Sequence, residues 1–468
     1  MKKLLILIVL ISGLANAQQE AFTIKNPYRN TDLNPKATFV VEDETSGNFA
    51  VFMISRGITY GFLYDKYFEK IKHIRSTKLP SKFISFQVYT IKENTYTFLM
   101  NTANNRSYGT LVFDFDTGAF DVKETDFKLK KERLLSVVSN FDTCHLITIS
   151  KKENHLIIYS FKDNWDKPLK KIINFDGDYF KEETNNNYTF KELFYDKFSL
   201  TNISNEHPNS IKQASDKVKI YTKDLDVQIT SNKYSEKTFI IDFNIATGNK
   251  NIASFSMPQF EKEGFFPKSN SYLIDDKLFQ VRGNNLKLAL NITDTKTDVI
   301  LNNFYSEKEL PIKFKNGPII QKKRGLFEEQ RDIKTTSAFL RKLQVLDIGV
   351  AVYKDGKDYI FNMGGHEEES GNLFIYIPGG GFVGGVISGV ASGFLNYTYS
   401  KSLLIEGILD ENFEHQNGTV AKNIFNLISD FSDQKKTKAE TLFKKDETYY
   451  WGTYSSKYDH YTFYSFRE

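Results

Sequence analysis

Residues 83–127 read FISFQVYTIKENTYTFLMNTANNRSYGTLVFDFDTGAFDVKETDF. Four alternating apolar runs lie between short polar turns. The runs are rich in Phe, Tyr, Val, Ile and Thr, which suit a pleated, half-buried surface. Polar or glycine-containing breaks between such runs read as hairpin turns. Four strands in about 45 residues is the strand count and length of one propeller blade.

The same unit recurs. Residues 134–175 and 272–304 each hold four candidate strands, and 36–75 and 217–258 follow with weaker patterning. Residues 342–431 give LQVLDIGVAVYK, DYIFNMGG, LLIEGILD and IFNLISD, split by a charge-free stretch. The last piece, 440–468, holds only TLFKK, TYYWGTYS and HYTFYSF, and Ala21–Lys25 is expected to supply its fourth strand. A ring must hide its edges, and pairing the two chain ends does so. The expected fold is all-β: a β-propeller of about seven four-stranded blades, six if one weak unit is an insertion. A two-domain all-β protein is the alternative. Insertions are expected at about 176–212, 315–337 and 370–400. In the first, KELFYDKF reads as a short helix within surface loop, and the second reads as a solvated loop.

Two strand ends match closely: Val112-Phe113-Asp114-Phe115-Asp116-Thr117-Gly118 and Ile240-Ile241-Asp242-Phe243-Asn244-Ile245-Ala246-Thr247-Gly248. Glycine closes such a turn because it takes positive φ without strain. The pattern resembles the third-to-fourth strand turn of quinoprotein-like propeller repeats. The docking Trp of those repeats is missing, since only Trp165 and Trp451 exist, so quinone binding is not carried over. Phe361-Asn362-Met363-Gly364-Gly365 resembles a kelch-type double-glycine strand end, once.

Met1-Lys2-Lys3, an apolar run from Leu4 to Leu14 and Ala15-Asn16-Ala17 form the signal-peptide pattern. Residues 1–17 are expected to be removed and 18–468 to form a single exported domain, periplasmic, outer-membrane-associated or secreted. No Cys stands directly after the apolar run. Cys144 is the sole cysteine, so no internal disulfide forms, and its alternating context, TCHLITI, suits a buried position. The formal net charge of +4 is spread along the sequence and gives no patch that argues for nucleic acid.

Catalytic patterns are few. Asp116-Thr117-Gly118 spells the aspartic-protease triplet, but the matching site reads Ala246-Thr247-Gly248. That chemistry needs two carboxylates sharing a proton. His366-Glu367-Glu368-Glu369 offers cation ligands without the second His of a zinc-protease helix. Seven histidines are scattered along the chain. Asp142, Asp275 and Asp347 are the acids expected nearest a propeller channel. No cofactor or metal is expected, and the catalytic residues are left unassigned.

Residues 370–400 contain no Asp, Glu, Lys, Arg or His. Gly381, Gly385, Gly389 and Gly393 recur at four-residue spacing, which aligns them on one helix face; Phe382 and Phe394 stand among the bulky residues between. The segment resembles a glycine zipper, known from bacterial outer-envelope proteins and membrane-active peptides. A helix from Gly379 to Tyr397 is expected, about 28 Å long. Seven glycines in 379–393 place it roughly 7 kcal/mol below its all-alanine counterpart. It therefore needs tight packing or lipid; a flexible glycine loop between strands is the alternative. These six residues are the candidate binding, packing or membrane site. The expected partners are another envelope protein, a sister subunit or a membrane surface, with no nucleic acid. The expected function is a non-enzymatic binding or scaffold protein of the bacterial envelope. A hydrolase or lyase acting on extracellular polysaccharide or peptide is the alternative.

Overall fold

The computed structural model describes residues 19–29, 33–140, 142–182, 186–194, 200–260, 267–323, 329–367, 383–384, 389–398, 402–435 and 437–467. Among the described residues the strands form seven sheets of four or five strands, antiparallel except for two added parallel strands, and one separate two-stranded hairpin. They form a β-propeller whose blades we number 1 to 7 in chain order.

Blades 1 to 3 are plain four-stranded meanders. Blade 1 comprises Ala37–Glu42, Phe49–Ser55, Ile58–Tyr64 and Lys70–Arg75; blade 2 comprises Phe83–Lys92, Thr95–Thr102, Ser107–Asp114 and Ala119–Lys128. Blade 3 comprises Glu132–Asn140, Thr143–Ser150, His155–Phe161 and Leu169–Asn174. Blade 4 spans Val218 to Ser256 and blade 5 spans Lys268 to Glu307, each with the same plan. In blade 7, Gln19–Lys25 pairs antiparallel with His460–Arg467, beside Thr448–Ser455 and Thr441–Lys445. The first strand of the chain therefore closes the ring. Phe22 stacks on Phe463 at 4.4 Å between centroids.

Inner strands all run the same way, so the disc has two distinct faces. Links between blades and second-to-third turns lie on one, the entry face. First-to-second and third-to-fourth turns lie on the other, the exit face. The third-to-fourth turns share one device. Asp114 Oδ1 accepts from the Asp116 and Thr117 amides, and Asn244 Oδ1 from those of Ala246 and Thr247. Gly118 and Gly248 follow at φ +81° and +80°. Blade 5 repeats the turn with Asp294, but Asp298, at φ +58°, stands where the others have glycine.

Cores lie between neighbouring blades. Phe52 meets Phe98 edge-on at 4.8 Å between blades 1 and 2, and Phe127 meets Tyr159 at 4.9 Å between blades 2 and 3. Cys144 is fully buried in the latter core. Lysines on outer strands clip to the next blade's exit-face turn: Lys72 Nζ donates to Asp116 O, and Lys123 Nζ meets Asp166 at 2.7 Å.

Blade 6 departs from the expected plan. Its inner strands are Asp347–Asp355, Asp358–His366 and Ser402–Leu409. Its fourth strand is Ile319–Lys323, followed outward by Glu329–Ile333. Both lie in the stretch read from sequence as solvated loop. IFNLISD, expected as that fourth strand, belongs instead to an α-helix, Ile424–Ser432. The reason is local. Asn423 and Asn426 form a capping box, and Ile424, Phe425 and Ile428 recur at helical spacing as its buried face.

Helices are numbered here in chain order: α1, Ile211–Ser215; α2, Thr336–Leu343; α3, Gly389–Thr398; and α4, Ile424–Ser432. Thr335 caps α2, which packs Phe339, Leu340 and Leu343 into the core shared by blades 4 to 6. No helix among the described residues is long and apolar enough to cross a membrane.

Candidate functional site

The entry-face mouth of the channel is where the chain departs most from a bare propeller, because two insertions meet there. The first precedes blade 4. It holds a hairpin (Tyr179–Lys181 with Asn187–Thr189), a 3-10 turn at Phe190–Phe194, a strand Leu200–Ile203 and α1. The turn falls on the expected short helix. The remainder was read as surface loop, yet its later part lies inside. Leu200–Ile203 pairs parallel with Val218–Lys223 on its channel side, and Ser136 Oγ of blade 3 donates to Asn202 Oδ1 at 2.7 Å.

α1 then presses on blade 6. A Cβ on Gly349 would come within 2.7 Å of the Ser215 amide nitrogen, so only glycine fits that inner strand. Asn270 Nδ2 donates to Ser215 O and Ile348 O, both at 2.8 Å, joining α1 to blades 5 and 6. Lys219 Nζ donates to Asp216 O and Asn270 Oδ1, each at 2.6 Å. Burial pushes the Lys219 ammonium well below its ordinary range and that of Lys217 down to about 8. The missed sequence signal was Ser210-x-x-Gln213, a capping box that the structure forms.

The second insertion leaves blade 6 between its second and third strands. Val383–Gly384 pairs parallel with Ser85–Phe86 at the start of blade 2's inner strand. The insertion therefore reaches across the mouth. α3 follows. The expected helix from Gly379 is thus corrected: two residues within its span are extended, and the helix observed begins at Gly389. Of the six candidate residues, Gly381, Phe382 and Gly385 lie outside the described residues. Gly389 opens α3. Gly393 and Phe394 are buried inside the protein.

Gly393 lies against His207, and Phe394 meets Phe425 of α4 edge-on at 5.5 Å. Tyr397 Oη accepts from Asn423 Nδ2 at 2.8 Å, and burial pushes its pKa up to about 12. α4 rests in turn on blade 7, where Phe431 meets Trp451 edge-on at 5.9 Å. Helices α3 and α4 thereby form one apolar cluster with blade 7.

The expected channel acids do not converge. Asp142 and Asp275 follow the ends of inner strands on the exit face, and Asp347 opens one on the entry face. Asp142 pairs with Lys162 and Asp275 with Lys354, both at 2.6 Å. The Lys162 ammonium holds the Asp142 carboxyl below its ordinary range. Asp116-Thr117-Gly118 is a turn. His366 ends a buried strand, Glu367 is exposed, and Glu368 and Glu369 lie outside the described residues. Among the described residues no three His, Cys, Asp or Glu side chains are grouped to hold a metal ion.

No family model and no curated protein matches this chain. Solved structures with similar coordinates include an ACO/RPE65 chimera, at 10% identity and a TM-score of 0.31, covering 60% of this chain and 63% of that one. Cobalt-substituted Synechocystis ACO aligns at 9% identity and a TM-score of 0.30, covering 64% and 65%. The structure titled Dos1 propeller aligns at 10% identity and a TM-score of 0.31, covering 93% and 95%. The chain spans less than two thirds of the length of the first two, and the fold assignment rests on the seven sheets themselves.

Proposed function

We propose that the chain is an exported, non-enzymatic binding or scaffold protein of the bacterial envelope, with the glycine-rich insertion as its interacting element. One observation carries the reading. The channel mouth, where propeller hydrolases gather catalytic groups, is taken up by the protein's own strand Leu200–Ile203, α1, Val383–Gly384 and α3. The chemistry of the insertion supports the same view. The anchor α3 is held by packing, and residues 370–382 between blade 6 and the first anchor carry no charged side chain. A hydrolase or lyase at the channel has less support, because Asp142 and Asp275 are each engaged by a lysine on the exit face.

The test is fractionation of cells carrying the wild-type protein or a Gly385→Leu, Gly389→Leu variant, with native mass measured for both. The expected result is a membrane-associated or assembled wild type and a variant shifted to the free soluble pool. If both remain wholly soluble and monomeric, the reading fails. Hydrolysis of an envelope polysaccharide by the purified protein, lost on Asp347→Asn, would replace it with the enzymatic one.

A further inference from the structure

Charge that is evenly spread along the sequence is sorted by the fold. Inside blades 1 to 3 the entry-face connections are turns 56–57, 103–106 and 151–154 and links 76–82 and 129–131, while the link that leaves blade 3 opens with Asp176 and Asp178 and is counted apart from the five. These five segments hold eight Lys or Arg side chains and one carboxylate, Glu153. The exit-face turns of the same blades are 43–48, 65–69, 93–94, 115–118, 142 and 162–168. They hold nine carboxylates and three lysines. Alternation of hairpins produces the segregation, since basic residues occur in every second connection.

Arg56, Lys78, Arg106, Lys130 and Lys131 are all exposed. Among the described residues none of these five lies within ion-pair distance of a carboxylate. Lys82, in the same sector, meets Glu124. They stand on separate turns and links across three blades, so they present an area. The anchor Val383–Gly384 joins blade 2 at Ser85–Phe86, beside the link that holds Lys82.

We propose that this sector of the entry face docks onto a planar anionic surface, a lipid layer carrying phosphate headgroups. The inference deepens the reading of the chain as an envelope interaction module and rests on it. A plane of negative charge attracts the entry face and repels the exit face, which fixes the orientation of the disc. A linear polyanion would be better held by a groove than by a spread of separate tips. Attraction of this kind falls off within a Debye length, about 10 Å at 0.1 M salt.

The test is co-sedimentation of the purified chain with vesicles of phosphatidylcholine alone and with about 30% phosphatidylglycerol, at about 50 mM and 300 mM salt. Binding is expected only to the anionic vesicles and only at low salt. A Lys78→Glu, Arg106→Glu, Lys130→Glu variant should keep the wild-type melting curve and bind at least about 100-fold more weakly. A matched Glu44→Lys, Glu69→Lys, Asp163→Lys variant on the exit face of the same sector should bind as wild type does. The inference is overturned if the wild type ignores anionic vesicles, if the triple variant binds equally, or if a soluble polyanionic polysaccharide is bound and vesicles are not. The Gly385→Leu, Gly389→Leu variant separates the two ideas. Anionic binding that survives the triple variant but is lost with the glycine variant sinks this inference and leaves the insertion reading standing.

Discussion

Gly393 of α3 and His207 of the first insertion touch so closely that a Cβ on the glycine would lie 2.4 Å from the imidazole Cε1. Two insertions that leave the propeller at blades 4 and 6 are thereby locked together over the channel. Overpacking at such a contact costs about 1–3 kcal/mol. Gly393→Ala should lower unfolding free energy by that amount in urea. A His207→Ala, Gly393→Ala double variant should lose at least about 1 kcal/mol less than the two single losses summed. Additive losses would mean that the contact is not shared.

Asn423 serves two helices. Its side chain accepts from the Asn426 amide at 3.0 Å as the cap of α4 and donates to Tyr397 Oη of α3 at 2.8 Å. Asn423→Ala should cost about 1–2 kcal/mol and speed amide exchange across Gly389–Thr398. Faster exchange confined to the first turn of α4 would show that α3 is held without it.

The three matching exit-face turns offer an internal control. Gly118→Ala or Gly248→Ala forces an L side chain into the left-handed region and should cost about 1 kcal/mol. Asp298→Gly places glycine where blade 5 lacks it and should raise stability by up to about 1 kcal/mol. Denaturant midpoints of the three single variants check both signs.

His145 is buried in blade 3, with Nδ1 2.8 Å from Ser160 Oγ. Burial first, and the nearby Lys171 ammonium second, push its pKa from 6.5 down to about 4. The unfolded chain therefore takes up a proton in a range where the folded one does not. Stability from this group is complete above pH 6.5 and is lost as pH falls toward 4. Relative to His145→Gln, the wild type should lose unfolding free energy across that window and run parallel to it above pH 7. Parallel curves throughout would show that His145 titrates alike in both states.

Much of the fold was legible because each blade is local. Alternation in 83–127 is interrupted only by its turns, so four strands could be read directly, and Phe83–Lys92 through Ala119–Lys128 lie where those runs fall. Blade 6 was misread because its fourth strand precedes its first in the chain. Nothing local in Ile319–Lys323 announces a partner at Ser402–Leu409. In IFNLISD, apolar residues fit a strand as well as a helix, and the deciding asparagine cap stands just before it. The candidate site was legible only as an anomaly in composition. That Gly393 needs to be glycine depends on His207, and that the first insertion turns inward depends on the polar partners Asn270 and Ser136. Charge segregation was invisible for a related reason: faces alternate from one hairpin to the next, so a running average along the chain cancels it.

The strand Gln19–Lys25 carries a kinetic consequence. Ser465 Oγ reaches Gln19 O across 446 residues of sequence. A ribosome adding about 5–20 residues per second needs on the order of half a minute to a minute and a half to make the partner of the first strand. Through that interval blade 7 does not exist, and Gln19–Lys25 is an unpaired edge segment. Contacts of such separation also slow folding itself. The incomplete ring is therefore the form most exposed to proteases and to pairing with other chains. A truncation that removes only the last strand, His460–Arg467, leaves the nascent intermediate as the final product.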